Sequence, residues 1–257
     1  MARHIACVGQ PVAAESPSHS VVITSQTKDV CTTLQEPRIA ICTGSVRRQW
    51  ATLGLIMLAG FLALGIDLPL SRAMVEDHAL ASLHPFLESI EPFGQSPAVV
   101  VVSLAILLCG AGSCGRGFRI AAGALLSGLA VDILKLCVAR IRPRHFDLRR
   151  PVLETFQGFF PGTAAGSKLQ SWPSGHTAVA VGFCLALSAV FPKGRWLFRI
   201  LAALVVLQRI EAGAHYLSDT LCAASVAYGV SIIIFGGGPV SAWFDRLETQ
   251  WHRRPQS

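Results

Sequence analysis

The sequence predicts an all-α protein, a polytopic membrane bundle of about six transmembrane helices. Three observations lead there. Hydrophobic residues make up 52% of the 257 and charged residues only 14%, well under the roughly 25% of soluble domains. The apolar residues gather into long runs. The basic residues flank those runs, the pattern of positive-inside topology. The net charge of +7 with only 8% aromatic residues is explained by that flanking, so the expected partner is a bilayer and not nucleic acid.

Residues 1–46 lack an apolar run of signal-peptide length and mix Ser, Thr, Pro and Gln with charges. They are expected to be a disordered cytoplasmic tail. Six helices are predicted at about 49–67, 96–113, 117–139, 175–192, 195–212 and 216–236. About 20 apolar residues cross the hydrocarbon core, and the short, Val-rich second helix fits that least well. Residues 79–93 suit either a short interfacial helix or an ordinary loop. Arg47 and Arg48, Arg116 and Arg119, Lys193 and Arg195, and Arg246, Arg253 and Arg254 fall on one side of a six-span protein. That side is the cytoplasmic one, with both termini. The domain is drawn as 47–238, followed by a basic cytoplasmic tail, 239–257.

One segment runs against the charge rule. Residues 142–174 fall on the outer side yet hold Arg142, Arg144, Arg149, Arg150 and Lys168 against Asp147 and Glu154. Either a basic loop has simply been translocated, or an anionic substrate binds there. Eight cysteines show no metal-ligand spacing and no disulfide framework, so no metal site is expected.

Three stretches carry the chemistry. In Lys135-x6-Arg142-Pro143 the two cations are two helical turns apart, so a continuous helix would present both on one face. Pro143 would end that helix. A forked Arg142 and a point-charge Lys135 suit one phosphate, though snorkelling to headgroups explains them equally. Asp132 sits three residues before Lys135 and can pair with it. In Pro173-Ser174-Gly175-His176, Ser174 has N-cap character, Gly175 admits a ligand close to the backbone, and helix N–H groups attract anions. His176 then stands beside a bound phosphate, unless it is only an interfacial histidine. In the third stretch, Arg209 adds a cation, Gly213 breaks the chain, and His215 and Asp219 are four apart. That spacing lets the carboxylate accept from one ring nitrogen and leaves the other unprotonated. A structural His–Asp pair would look the same.

Taken together, the stretches resemble the type 2 phosphatidic acid phosphatase (PAP2) superfamily. Its signature is Lys-x6-Arg-Pro, then Pro-Ser-Gly-His, then Ser-Arg-x5-His-x3-Asp. The resemblance covers about residues 47–238 and departs at Gln208, where the pattern has Ser. It implies hydrolysis of a phosphate monoester or pyrophosphate on a membrane lipid, without metal or other cofactor, on the non-cytoplasmic face. His215 would attack phosphorus to give a phosphohistidine, with Asp219 orienting it. His176 would protonate the leaving group. Lys135, Arg142, Ser174, Gly175 and Arg209 would hold the phosphoryl oxygens. A lipid phosphotransferase would carry the same motifs. A non-catalytic transporter or binding protein would be expected to lose His176, His215 or Asp219.

Overall fold

The computed structural model describes residues 45–109, 114–162 and 166–252. Nearly all of the predicted N-terminal tail, 1–46, lies outside them. The described chain is mostly helical: α1 (Val46–Val75), α2 (His84–Ile90), α3 (Ser96–Cys109), α4 (Cys114–Lys135), α5 (Gly175–Val190), α6 (Arg195–Glu211), α7 (Leu217–Phe235) and α8 (Pro239–His252). A two-stranded antiparallel hairpin, β1 (Val138–Arg140) and β2 (Phe156–Phe159), follows α4.

A helix stands at each of the six predicted positions. Three are long and apolar enough to cross a membrane: α1, residues 115–135 of α4, and α7. The segment 81–94 with 96–108, bent by 61°, adds a fourth if taken as one span. α5 and α6 are shorter, and α6 also carries Arg195, Arg199, Arg209 and Glu211. At ~1.5 Å per residue, the 16 residues of α5 and 17 of α6 reach about 24–26 Å, against a core of ~30 Å. Residues 79–93 are helical in short pieces, a 3-10 turn at Ala81–Leu83, then α2, then a second 3-10 turn at Glu91–Gly94.

Many large apolar side chains point outward from the bundle. Leu55, Phe61, Leu62 and Ile66 of α1 and Leu129 and Ile133 of α4 are exposed, as suits helices bathed in hydrocarbon. Between helices, small residues allow close approach. A Cβ at Gly182 of α5 would come within 2.6 Å of Ser127 Oγ on α4. A core of Val99, Ile120, Phe183, Leu187, Ile234 and Phe235 closes one end. Here Arg119 is fully buried. It donates to Asp245 at 2.7 Å, to the Ile234 carbonyl at 2.8 Å and to Ser241 Oγ at 2.8 Å. It thereby pins α8 to α4 and α7, so residues 239–252, read from sequence as tail, form a packed helix.

Two boundaries differ from the prediction. α1 does not end near Asp67 but runs on through Pro69 to Val75. α4 does not continue to Pro143 but ends at Lys135, and the chain turns into β1. Asp67 and Arg140 meet at the junction, both fully buried, with Arg140 Nη2 2.8 Å from Asp67 Oδ2. The carboxylate can stay inside an apolar helix because the cation is brought to it. Arg140 reaches Asp67 from β1, after the chain has left the helix. Lys135 and Arg142 therefore do not share a helical face.

Candidate active site

Arg140 is the hub on which the site is assembled. Its Nη1 pairs with Asp219 and donates to Ser218 Oγ at 2.7 Å, and its Nε donates to Thr155 Oγ1 at 3.0 Å. Its guanidinium stacks on the rings of Tyr216 and Phe156, 4.1 and 4.6 Å from their centroids. Asp67 answers from α1, accepting from the Ser218 N–H at 3.0 Å. One cation between two carboxylates thus ties α1, the hairpin and the start of α7 together. Charges this deep are tolerable only when each is paired or hydrogen-bonded, as the carboxylates here are by Arg140, hydroxyls and backbone N–H groups.

Asp219, at the third position of α7, accepts from the Tyr216 N–H at 2.9 Å and from Ser171 Oγ at 2.6 Å. This satisfies a first-turn donor and places negative charge at a helix N-terminus. With Arg140 also on it, Asp219 is fully engaged. Its Oδ2 lies 3.9 Å from His215 Nδ1, beyond hydrogen-bond range. The expected direct His215–Asp219 hydrogen bond is therefore replaced. His215 Nδ1 is 2.6 Å from the Ser171 carbonyl oxygen. A carbonyl only accepts, so Nδ1 carries the proton and Nε2 is the unprotonated nitrogen. Asp219 acts one step back, holding the side chain of the residue whose carbonyl holds the ring. Gly213, with φ of +60°, turns the chain between α6 and α7.

Ser174 caps α5, its Oγ accepting from the Thr177 N–H at 3.4 Å, as its sequence position predicts. Lys135 closes over this helix start. A Cβ at Gly175 would lie 3.0 Å from Lys135 Nζ, so the missing side chain leaves the ammonium room to approach the backbone closely. Lys135 also pairs with Asp132 at 3.1 Å, as the three-residue spacing predicts. Arg142 and Arg209 complete the set. The charges of Arg142, Lys135 and Arg209 all bear on the His215 ring. The same three, with Glu91, bear on His176. The sequence-predicted residues therefore converge on one place.

The electrostatics favour an anion there. Arg142 is pushed below the ordinary arginine value, first by burial and then by Arg144 and Arg209. Its Nε is buried without a hydrogen-bond partner. A crowded guanidinium with an unpartnered nitrogen is stabilised by a bound phosphate. His215, 3% exposed, is held well below the ordinary histidine value, first by burial and then by Arg142. The ring is neutral at physiological pH, the form a nucleophile needs. Beside Lys135, Gly175 and His176 opens a cavity of about 480 Å³, lined farther down by Leu125, Leu129 and Val179. It joins the polar site to the apolar flank of α4 and α5.

Four contributors escaped the sequence reading. Ser171 acts through a backbone carbonyl and carries no sequence signal. Arg140 was hidden in the spacer of the first stretch. Asp67 did carry a signal, a lone carboxylate in an apolar run. Glu91 lies outside all three stretches. It pairs with Arg209 at 2.7 Å and lies 3.4 Å from His176 Nε2.

Residues 116–240 match the family model described as the PAP2 superfamily. A lipid A 1-phosphatase of Rhizobium johnstonii is 34% identical over 124 residues, covering 48% of this chain and 42% of the relative. A lipid A 1-phosphatase of Rhizobium etli is 33% identical over 106 residues, covering 41% of this chain and 42% of the relative. The matched part thus spans less than half the length of each relative. No solved structure matches the chain.

Proposed function

We propose, on the footing that residues 116–240 form a PAP2-superfamily domain, that this chain hydrolyses a phosphate monoester or pyrophosphate on a membrane lipid. The observation that carries the reading is the His215 ring. Its Nδ1–H is tied to the Ser171 carbonyl, which leaves Nε2 unprotonated amid Arg142, Lys135 and Arg209. Nε2 attacks phosphorus and forms the P–N bond while the P–O bond to the lipid breaks. His176 gives a proton to the departing oxygen, then takes one from the water that cleaves P–N and releases phosphate. The three cations stabilise the phosphoryl charge in both steps, in the role a metal plays elsewhere, so turnover needs no metal. The cavity beside Lys135 and His176 gives the lipid portion a place next to the leaving oxygen. The relatives' names favour lipid A carrying a 1-phosphate as the first substrate to assay.

In this reading the protein crosses the membrane six times, with residues 47–238 as the catalytic domain and both termini cytoplasmic. The site then faces outward. Single cysteines at positions 150 and 250 of a cysteine-free variant test this. An impermeant thiol reagent should label position 150 in intact cells and spare 250, and the reverse pattern would invert the topology.

The chemistry is tested with purified protein. Wild type should release phosphate from a phosphorylated lipid in the presence of chelator. Acid-labile, base-stable radiolabel should be trapped on the protein. His215→Ala should lose at least about 10³-fold in kcat/KM with the fold intact. Substantial turnover by His215→Ala, or rescue of a chelated enzyme by magnesium, would refute the assignment.

A further inference from the structure

Glu91 belongs to none of the three stretches that carry the chemistry, yet it has four partners inside the site. Arg209 Nη2 is 2.7 Å from Glu91 Oε2, Gln208 Nε2 3.3 Å from the same oxygen, Gln95 Nε2 3.2 Å from Oε1, and His176 Nε2 3.4 Å from Oε1. The turn that bears it is fixed against His176 by packing. A Cβ on Gly94 would sit 3.0 Å from the His176 carbonyl oxygen. The carboxylate is therefore held in place and does not sweep through solvent.

Gln208 explains why this arrangement stands in this chain. It occupies the position where the family pattern has Ser, and it is almost fully buried. Its amide is used at both ends. Nε2 reaches Glu91, and Oε1 accepts from Arg209 Nε at 2.5 Å. A serine is too short to bridge both groups. The departure at residue 208 and the carboxylate at 91 form one unit.

We propose that Glu91 is a positioning residue for the reaction: facing His176 Nε2, its charge orients the ring that protonates the leaving oxygen, while Arg209 is held by Gln208 and by an acceptor oxygen at position 91 that a glutamine would keep. At 3.4 Å the Glu91 carboxylate faces His176 Nε2 at ion-pair distance, which favours that edge of the ring turned toward it and leaves Nδ1 to exchange the proton with the leaving oxygen. Arg209 gives one N–H to Gln208 and one to Glu91, and three of its five remain for phosphate. Lys135 and Arg142 also face His176, so Glu91 is the acidic group set against three cations there.

This inference rests on the phosphatase reading, and the experiment separates the two. Glu91→Gln keeps the shape and removes the charge. Rates are measured on phosphatidate, whose alkoxide leaving group needs a proton, and on p-nitrophenyl phosphate, whose leaving group does not. His176→Ala sets the benchmark for a lost proton donor. Glu91→Gln should lose about tenfold or more in kcat on phosphatidate and less than about threefold on p-nitrophenyl phosphate. Glu91→Asp, which keeps the carboxylate, should recover most of the phosphatidate rate, and it serves as the test if the Gln variant does not fold. Equal losses on both substrates, or an Asp variant as impaired as the Gln variant, overturn the role of Glu91. A fully active His215→Ala would instead overturn the phosphatase reading.

Discussion

The two histidines of the site face the same three cations but differ in how they are enclosed. His215 is sealed in, 3% exposed, with a backbone carbonyl on Nδ1 and three layers behind it: Ser171, Asp219, then Arg140 with Asp67. His176 stands at the rim, its side chain 34% exposed, beside a cavity and facing Glu91 from a separate turn. The difference matches what each imidazole would have to do. A nucleophile gains from burial and surrounding cations, because both keep it neutral and aimed. A group that passes protons to a lipid oxygen and takes them from water needs access to both. The rigid half of the site hangs on α1 and α7. The open half hangs on the short helical turns before α3.

The sharpest way to break this contrast is to remove the support of the sealed half. Arg140→Met leaves Asp67 and Asp219 buried without their cation, a change expected to cost ~3–5 kcal/mol of stability. It should lower the thermal midpoint in detergent and abolish turnover, although residue 140 touches no substrate. A melting point equal to wild type would mean the buried pair is not what holds α1 to α7.

A smaller effect tests why His215 is neutral. Its depressed proton affinity means that activity requiring the free base is lost only as pH falls below the ordinary histidine value of 6.5. The acidic limb of kcat/KM should lie below that pH. Arg142→Gln removes the largest charge acting on the ring while leaving burial intact. The folded value then rises toward 6.5, and the limb should move to higher pH along with an overall loss of rate. The substrate's own ionisation is common to both proteins, so the difference reports the enzyme. An unmoved limb would assign it to another group.

Much of this protein was written locally. Apolar runs sufficed to place helices at six positions, three of them long and apolar enough to cross a membrane, where unsatisfied backbone groups leave few alternatives to helix. Lys135, Arg142, Ser174, His176, Arg209 and His215 were legible because each stretch carries its residue types at fixed short spacing. Ser174 as a cap and Gly213 as a break followed from backbone chemistry alone. What only the tertiary structure decided involves partners distant in sequence. The four-residue spacing of His215 and Asp219 suggested a direct bond, but Arg140, Ser171 and the Tyr216 N–H had already taken the carboxylate. The seven-residue spacing of Lys135 and Arg142 suggested one helical face, but the helix ends at Lys135 and the chain enters a strand from which Arg140 pairs with Asp67. Glu91 reaches Arg209 across 118 positions of chain, and no periodicity encodes such a contact. Spacing specifies which side chains can meet along one element. In a low-dielectric interior, a buried charge must find its counter-charge wherever the fold supplies it.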